Sequence, residues 1–154
     1  MGLALLMASG PAEESSAASE LRRIIALDQE KVSRYRSAFD PYPATGMAAF
    51  STESYDNAQG QVNALKGLLK DLAAKYRRHQ FRSYRVLFRN EALADSWREL
   101  QQSVSQVLDL VDKTRPNNYS RVNIWSGLDW VCIAYENVTD RLKPLDDSES
   151  RLQG

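Results

Sequence analysis

Apolar residues recur at helical intervals in three long stretches of the chain. Leu21, Ile25, Val32, Tyr35 and Phe39 share one face, with Asp28 interrupting the stripe, and Pro41 and Pro43 stop this helix near Asp40. Val62, Leu65, Leu68, Leu69, Leu72 and Tyr76 form a second stripe, for which Ser51, Thr52 and Ser54 offer N-caps and in which Gly60 and Gly67 are weak points. Leu93, Trp97, Leu100, Val104, Val107 and Val111 follow the alternating four- and three-residue spacing of a packed helix, ended by Lys113, Arg115 and the Pro116-Asn117-Asn118 turn.

The intervening segments read differently. Residues 9–19, SGPAEESSAAS, are small and polar and predict a loop leading into a helix, with Ser16 or Ser19 as its cap and Pro11, Glu13 and Glu14 suiting the entrance. Asp40 to Ser54 carries turn residues and then the weakly apolar Met47 to Phe50, which predicts a short extended segment. Val122 to Tyr135 is rich in aromatic and branched residues, as a buried short helix or a strand is, and a polar tail follows Pro144. The expected fold is all-α: an antiparallel up-down helical bundle of three to four helices with one short extended segment. Its expected divisions are a flexible N-terminal segment at 1–19, the bundle at 20–135 and a flexible C-terminal extension at 136–154.

Charge patterning singles out Lys75 to Arg89, KYRRHQFRSYRVLFR, a run with six cations and no acid. No Pro or Gly lies between Leu68 and Pro116, so the second helix is expected to continue straight through it, with Leu65 to Arg89 spanning about 37 Å. Asn90-Glu91 is the one plausible break. On such a helix Arg78, Arg82, Arg85 and Arg89 make one stripe and Phe81, Tyr84 and Phe88 a second beside it. Arginine binds phosphate through paired N–H groups, and neighbouring aromatics suit single-stranded nucleic acid. Arg78, Arg82, Arg85 and Arg89, with Arg77 beside them, are therefore the candidate residues for a polyanion, contacting phosphates with little base preference.

Composition narrows the alternatives. At 154 residues, 43% hydrophobic and 26% charged, the chain has the size and apolar content of a single domain. Its net charge is zero, so the sequence outside the basic run is net acidic. One cysteine, Cys132, excludes an intramolecular disulfide and is expected in the core. The one histidine, His79, stands among arginines, where it is expected to face solvent or phosphate. With no second histidine, no phosphate-binding glycine loop and no paired carboxylates, the chain is not expected to be an enzyme or to hold a metal, a cofactor or a small-molecule substrate. No apolar run suits a membrane span, and a soluble, cytosolic protein is expected.

Two stretches carry a family resemblance. In Tyr35 to Tyr55, YRSAFDPYPATGMAAFSTESY, the residues Tyr35, Phe39, Pro41, Pro43, Phe50 and Tyr55 match a pattern in coat proteins of rod-shaped plant RNA viruses of the tobacco mosaic virus type. In Tyr119 to Trp130, YSRVNIWSGLDW, the residues Tyr119, Arg121, Gly127, Leu128 and Trp130 match a second family pattern. There Ile124 and Trp125 replace the family's Phe-Glu pair. The chain thus resembles that family over about residues 20 to 130. The resemblance implies a virion protein, present also in host cytoplasm, that forms a helical homo-oligomer around single-stranded RNA. It implies an inner end at Arg77 and Arg78 that meets RNA, and an outer aromatic core of Phe39, Phe50, Tyr55, Trp125 and Trp130 beside the extended segment. Asp71, Glu91 and Asp95 are secondary candidates for acid repulsion between subunits. The competing expectation is a monomeric or dimeric helical adaptor, or an RNA-binding regulator that forms no rods.

Overall fold

The structure, a computed structural model, describes residues 11–41 and 54–146. Four helices carry the fold: α1 (Pro11–Ala38), α2 (Tyr55–Arg78), α3 (Glu91–Asp112) and α4 (Arg121–Leu142). They pack as the expected all-α bundle, α1 on α4, α4 on α3 and α3 on α2. Every regular element among the described residues is helical. The expected extended segment at Met47 to Phe50 lies outside the described residues.

Three of the four helices start where a side chain satisfies an otherwise orphaned backbone N–H. Ser54 Oγ accepts from Asn57 N–H at 3.4 Å, Asn90 Oδ1 from Leu93 N–H at 3.0 Å, and Ser120 Oγ from Asn123 N–H at 3.3 Å. The first helix differs from expectation. It begins at Pro11 instead of after Ser19, because proline suits a first helical position and Glu13 and Glu14 favour the positive end of the helix dipole. Ser15 and Ala18 are buried and extend the apolar face back by two turns.

The core lies between the four inward faces. Leu21, Ile25, Val32 and Phe39 from α1 meet Val62, Leu65, Leu69, Leu72 and Tyr76 from α2, with Leu93, Trp97, Leu100, Val104, Val107 and Val111 from α3. Each fully buried large aliphatic side chain contributes about 1.5–3 kcal/mol. The segment from Val122 to Tyr135, ambiguous between short helix and strand, is one long helix. Its buried Ile124, Leu128, Val131, Tyr135, Val138 and Leu142 alternate by four and three residues well past Tyr135. Both expected divisions, at 20 and at 135, thus fall inside helices, and residues 136–146 pack on the bundle, where Asp146 is buried and paired with Arg22 at 2.8 Å.

The side between α1 and α2 is the most open. There the backbones approach less closely, and long side chains bridge the gap. Lys75 Nζ reaches Asp28 Oδ1 at 2.9 Å and Oδ2 at 2.7 Å, and the Tyr76 hydroxyl donates to Asp28 Oδ2 at 2.8 Å while sharing a 2.5 Å hydrogen bond with the Tyr135 hydroxyl. Asp28, the interruption in the α1 stripe, is the point at which α1, α2 and α4 are joined.

Candidate nucleic-acid interface

The basic run does not continue α2. The α-helix ends at Arg78, and His79–Ser83 form a wider π turn closed by Tyr84 N–H to His79 O at 2.8 Å. Tyr84 leaves helical geometry at φ −126°, ψ 26°, and Arg85–Arg89 make a 3₁₀ turn that delivers the chain to the Asn90 cap of α3. Nothing in local propensity demands this bend. It is favoured by burial: on a straight helix Tyr84 and Leu87 would project beyond the bundle into water. On the bent chain both are buried, and Phe88 packs on Trp97 at 5.1 Å between ring centres. The Tyr84 hydroxyl donates to Glu20 Oε1 of α1 at 2.6 Å, and burial together with that bond pushes its pKa up to about 12. Trp97 supports the bend from α3, donating its indole N–H to Tyr76 O at 3.1 Å.

The candidate residues are consequently regrouped. Arg77 and Arg78 close α2, Arg82 sits in the π turn, and Arg85 and Arg89 bracket the 3₁₀ turn. All are exposed, but the expected single stripe of Arg78, Arg82, Arg85 and Arg89 does not form, because the helix it needed ends. None has an ion-pair partner among the described residues, whereas Arg34, Arg36, Lys66 and Arg98 on the helix faces each hold a carboxylate. Lys75 turns inward to Asp28 and leaves the set.

The aromatic stripe also divides. Tyr84 and Phe88 turn into the bundle, and Phe81 turns out, 62% exposed. Phe81 lines a shallow depression of 600 Å³ between α2 and α3 with Arg77, Arg98 and Gln101. An exposed ring beside arginines is what a stacked nucleobase uses. The sequence contains the signal for its orientation: the α2 core positions run Val62, Leu65, Leu69, Leu72, Tyr76 and then His79, which leaves Phe81 off the stripe.

That same continuation overturns the expectation for His79. The imidazole is buried among Tyr76, Tyr84 and Trp97, with its ring 4.9 Å from that of Tyr84, and neither ring nitrogen has a hydrogen-bond partner. Burial, reinforced by the Lys75 and Arg78 charges, lowers its pKa below the usual value. A neutral His79 is part of the support for the bend, not a contact for phosphate.

At the opposite end of the bundle, residues from both resembling stretches come together. Phe39 is buried, Tyr55 and Tyr119 meet edge to face at 6.1 Å, Trp125 packs on the core, and the Arg121 guanidinium donates to Ala38 O at 3.3 Å. Trp130 departs from this group. It is 63% exposed on the outer face of α4, and Phe50 lies outside the described residues. Cys132 is buried, with its thiol 3.6 Å from Ser33 Oγ. Of the acidic candidates, Asp71 and Glu91 are exposed, and Asp95 is paired within its own helix to Arg98 at 3.2 Å.

Among the described residues no three metal-ligating side chains are grouped, and no helix is long and apolar enough to cross a membrane. Fold and site together define a four-helix protein with one cationic end. Comparison with protein-family models, with curated proteins and with solved structures finds no match.

Proposed function

We propose that the protein is a structural capsid subunit, which self-assembles into a helical rod around single-stranded RNA and holds the RNA phosphates through Arg77, Arg78, Arg82, Arg85 and Arg89. The observation that carries this reading is the gathering of five exposed arginines without acidic partners on an irregular turn at one end of a compact bundle. Uncompensated arginines repel one another, and an anion relieves that repulsion. The exposed Phe81 beside Arg77 adds a surface on which any base can stack, consistent with binding that ignores sequence. The coat-protein resemblance favours the same reading, since Tyr55 of its first stretch meets Tyr119 of its second, and Arg121 of the second reaches Ala38 O beside Phe39.

The test uses salt and micrographs. Each phosphate neutralised on a single strand contributes about −0.7 to the log–log slope of affinity against salt. The double variant Arg78→Ala/Arg82→Ala is expected to fold normally, to bind oligouridylate more weakly and to flatten that slope by about 1.4. Electron microscopy of wild-type protein with RNA is expected to show discs or rods. Unchanged RNA packaging by the double variant refutes the arginine assignment. A small particle at every pH and concentration points to an adaptor, and RNA binding without rods points to a regulator.

A further inference from the structure

Two features on opposite sides of the bundle fit each other. On the α3/α4 side, Trp130 and Ile133 stand 63% and 40% exposed beside a depression of 290 Å³ that also includes Glu99 and Gln106. A tryptophan so exposed leaves a large apolar surface in water, on a helix whose inner face is already fully used. Glu99 lines the same depression and Glu136 follows Ile133 by three residues on α4; both are exposed and without ion-pair partners among the described residues. On the α1/α2 side, where those helices approach less closely, a groove of 360 Å³ has Tyr35 and Leu68 as its apolar lining and Lys31 and Arg34 as its cationic edge, Lys31 without an ion-pair partner among the described residues and Arg34 paired with Glu30 of its own helix at 2.6 Å. Leu27, 61% exposed one turn further along α1, extends it.

The two features also lie at one height along the bundle. Arg36 meets Asp129 at 2.9 Å and Ser33 meets Cys132 at 3.6 Å, a register that sets Trp130 level with Tyr35 and Ile133 level with Val32. Asp28 meets Lys75 and Tyr76, which sets Leu68 level with Tyr35 as well. A second copy displaced sideways, with its axis nearly parallel, therefore brings its Trp130 to the Tyr35/Leu68 groove without sliding along the bundle.

We infer that Trp130 and Ile133 of one copy seat in the α1/α2 groove of the next, with Lys31 and Arg34 placed over the indole and opposite Glu99 and Glu136. The chemistry matches on both counts: tryptophan is the aromatic that most favours a cation over its face, and the two rims carry opposite charge. Because knob and groove are different surfaces on opposite sides, the contact is heterologous and leaves a free knob and a free groove at the ends of every oligomer that does not close on itself. Such a chain of copies grows into an open helix or a ring, and it keeps all the arginine turns at the same end of their parallel bundles. The inference rests on the proposed self-assembly and identifies the lateral surface for it.

Two experiments separate the contact from the broader reading. Trp130→Ala changes an exposed residue on α4, a helix that carries none of the five arginines. It is expected to leave oligouridylate affinity and its salt slope unchanged while raising, by at least tenfold, the protein concentration at which sedimentation detects oligomers. If Trp130→Ala oligomerises as wild type does, the seat is wrong and the capsid reading stands. If wild type never oligomerises with or without RNA, both fall. In the Cys132→Ser background, Trp130→Cys and Arg34→Cys proteins mixed under mild oxidation are expected to give a one-to-one disulfide heterodimer, with little cross-linking of either variant alone. Trp130→Cys that cross-links only to itself, or no heterodimer at all, overturns the contact.

Discussion

Replacing Asp28 with alanine tests how the open side of the bundle is held. The carboxylate is 3% exposed and the Lys75 side chain 28%, so the two partners are affected unequally. Released, Lys75 swings its ammonium into water and forfeits only about 0.5–1 kcal/mol. The Tyr76 hydroxyl has no such route. It stays buried against the Tyr135 hydroxyl, and with Asp28 gone the two hydroxyls share a single hydrogen bond and leave one proton without an acceptor, at about 1–3 kcal/mol. Burial first, then the neighbouring Tyr135, raises the Tyr76 pKa far above the ordinary phenol value, and both remain when the Asp28 charge is removed, so ionisation offers no escape. The expected cost of Asp28→Ala is about 3 kcal/mol, a large share of the 5–15 kcal/mol typical of a domain. Urea unfolding followed by far-ultraviolet circular dichroism measures it, provided the slope m is unchanged. In a cycle against the paired replacement Tyr76→Phe/Tyr135→Phe, about 1.5 kcal/mol of that loss is expected to be recovered, because both buried hydroxyls are then gone and no proton is stranded. A cost below about 1 kcal/mol, or strict additivity in the cycle, refutes Asp28 as the joint between α1, α2 and α4.

His79 gives the bundle an acid-side weakness. Its folded pKa lies below the ordinary 6.5, so as pH falls through that value the unfolded chain takes up the proton first; stability is complete above about pH 6.5 and declines below it. Urea midpoints at pH 7.5 and pH 5 are expected to differ, and His79→Phe is expected to reduce the difference. The helical glycines divide by their surroundings. A Cβ at Gly60 or Gly67 meets nothing within 4 Å, so alanine at either is expected to raise stability by about 0.5–1 kcal/mol. At Gly127 it meets Val107 Cγ2 at 3.0 Å and Cβ at 3.2 Å, and the stiff valine leaves little room, so Gly127→Ala is expected to lose more by overpacking, about 1–3 kcal/mol, than helix propensity returns. Thermal unfolding of the three variants gives the signs directly.

Much of the fold was legible because helices are specified by residues three and four apart. The stripes from Val62 to Tyr76 and from Leu93 to Val111 face inward as their spacing predicts, Leu68 excepted, which borders the α1/α2 groove half-buried, and Ser54 and Asn90 stand at helix starts. In α4 the branched and aromatic residues are equally at home in a strand, and only the period running on to Leu142 decides for a helix. At the N-terminus small polar residues suit a loop, yet Pro11, Glu13 and Glu14 start a helix there.

The candidate site was legible in composition but not in shape. Local sequence determined that five arginines without neighbouring acids would fall together, since that property belongs to the run itself. It also contained the four amphipathic faces and most of their caps. Only the tertiary structure decided that the run bends, because the reason lies outside it: Glu20 of α1 accepts the Tyr84 hydroxyl, and Trp97 of α3 receives Phe88 and holds Tyr76 O. Likewise no local rule turns Lys75 inward while Arg77 and Arg78 stay in water. That choice belongs to a buried carboxylate 47 residues earlier in the chain, whose desolvation makes a cationic partner worth far more there than at the surface.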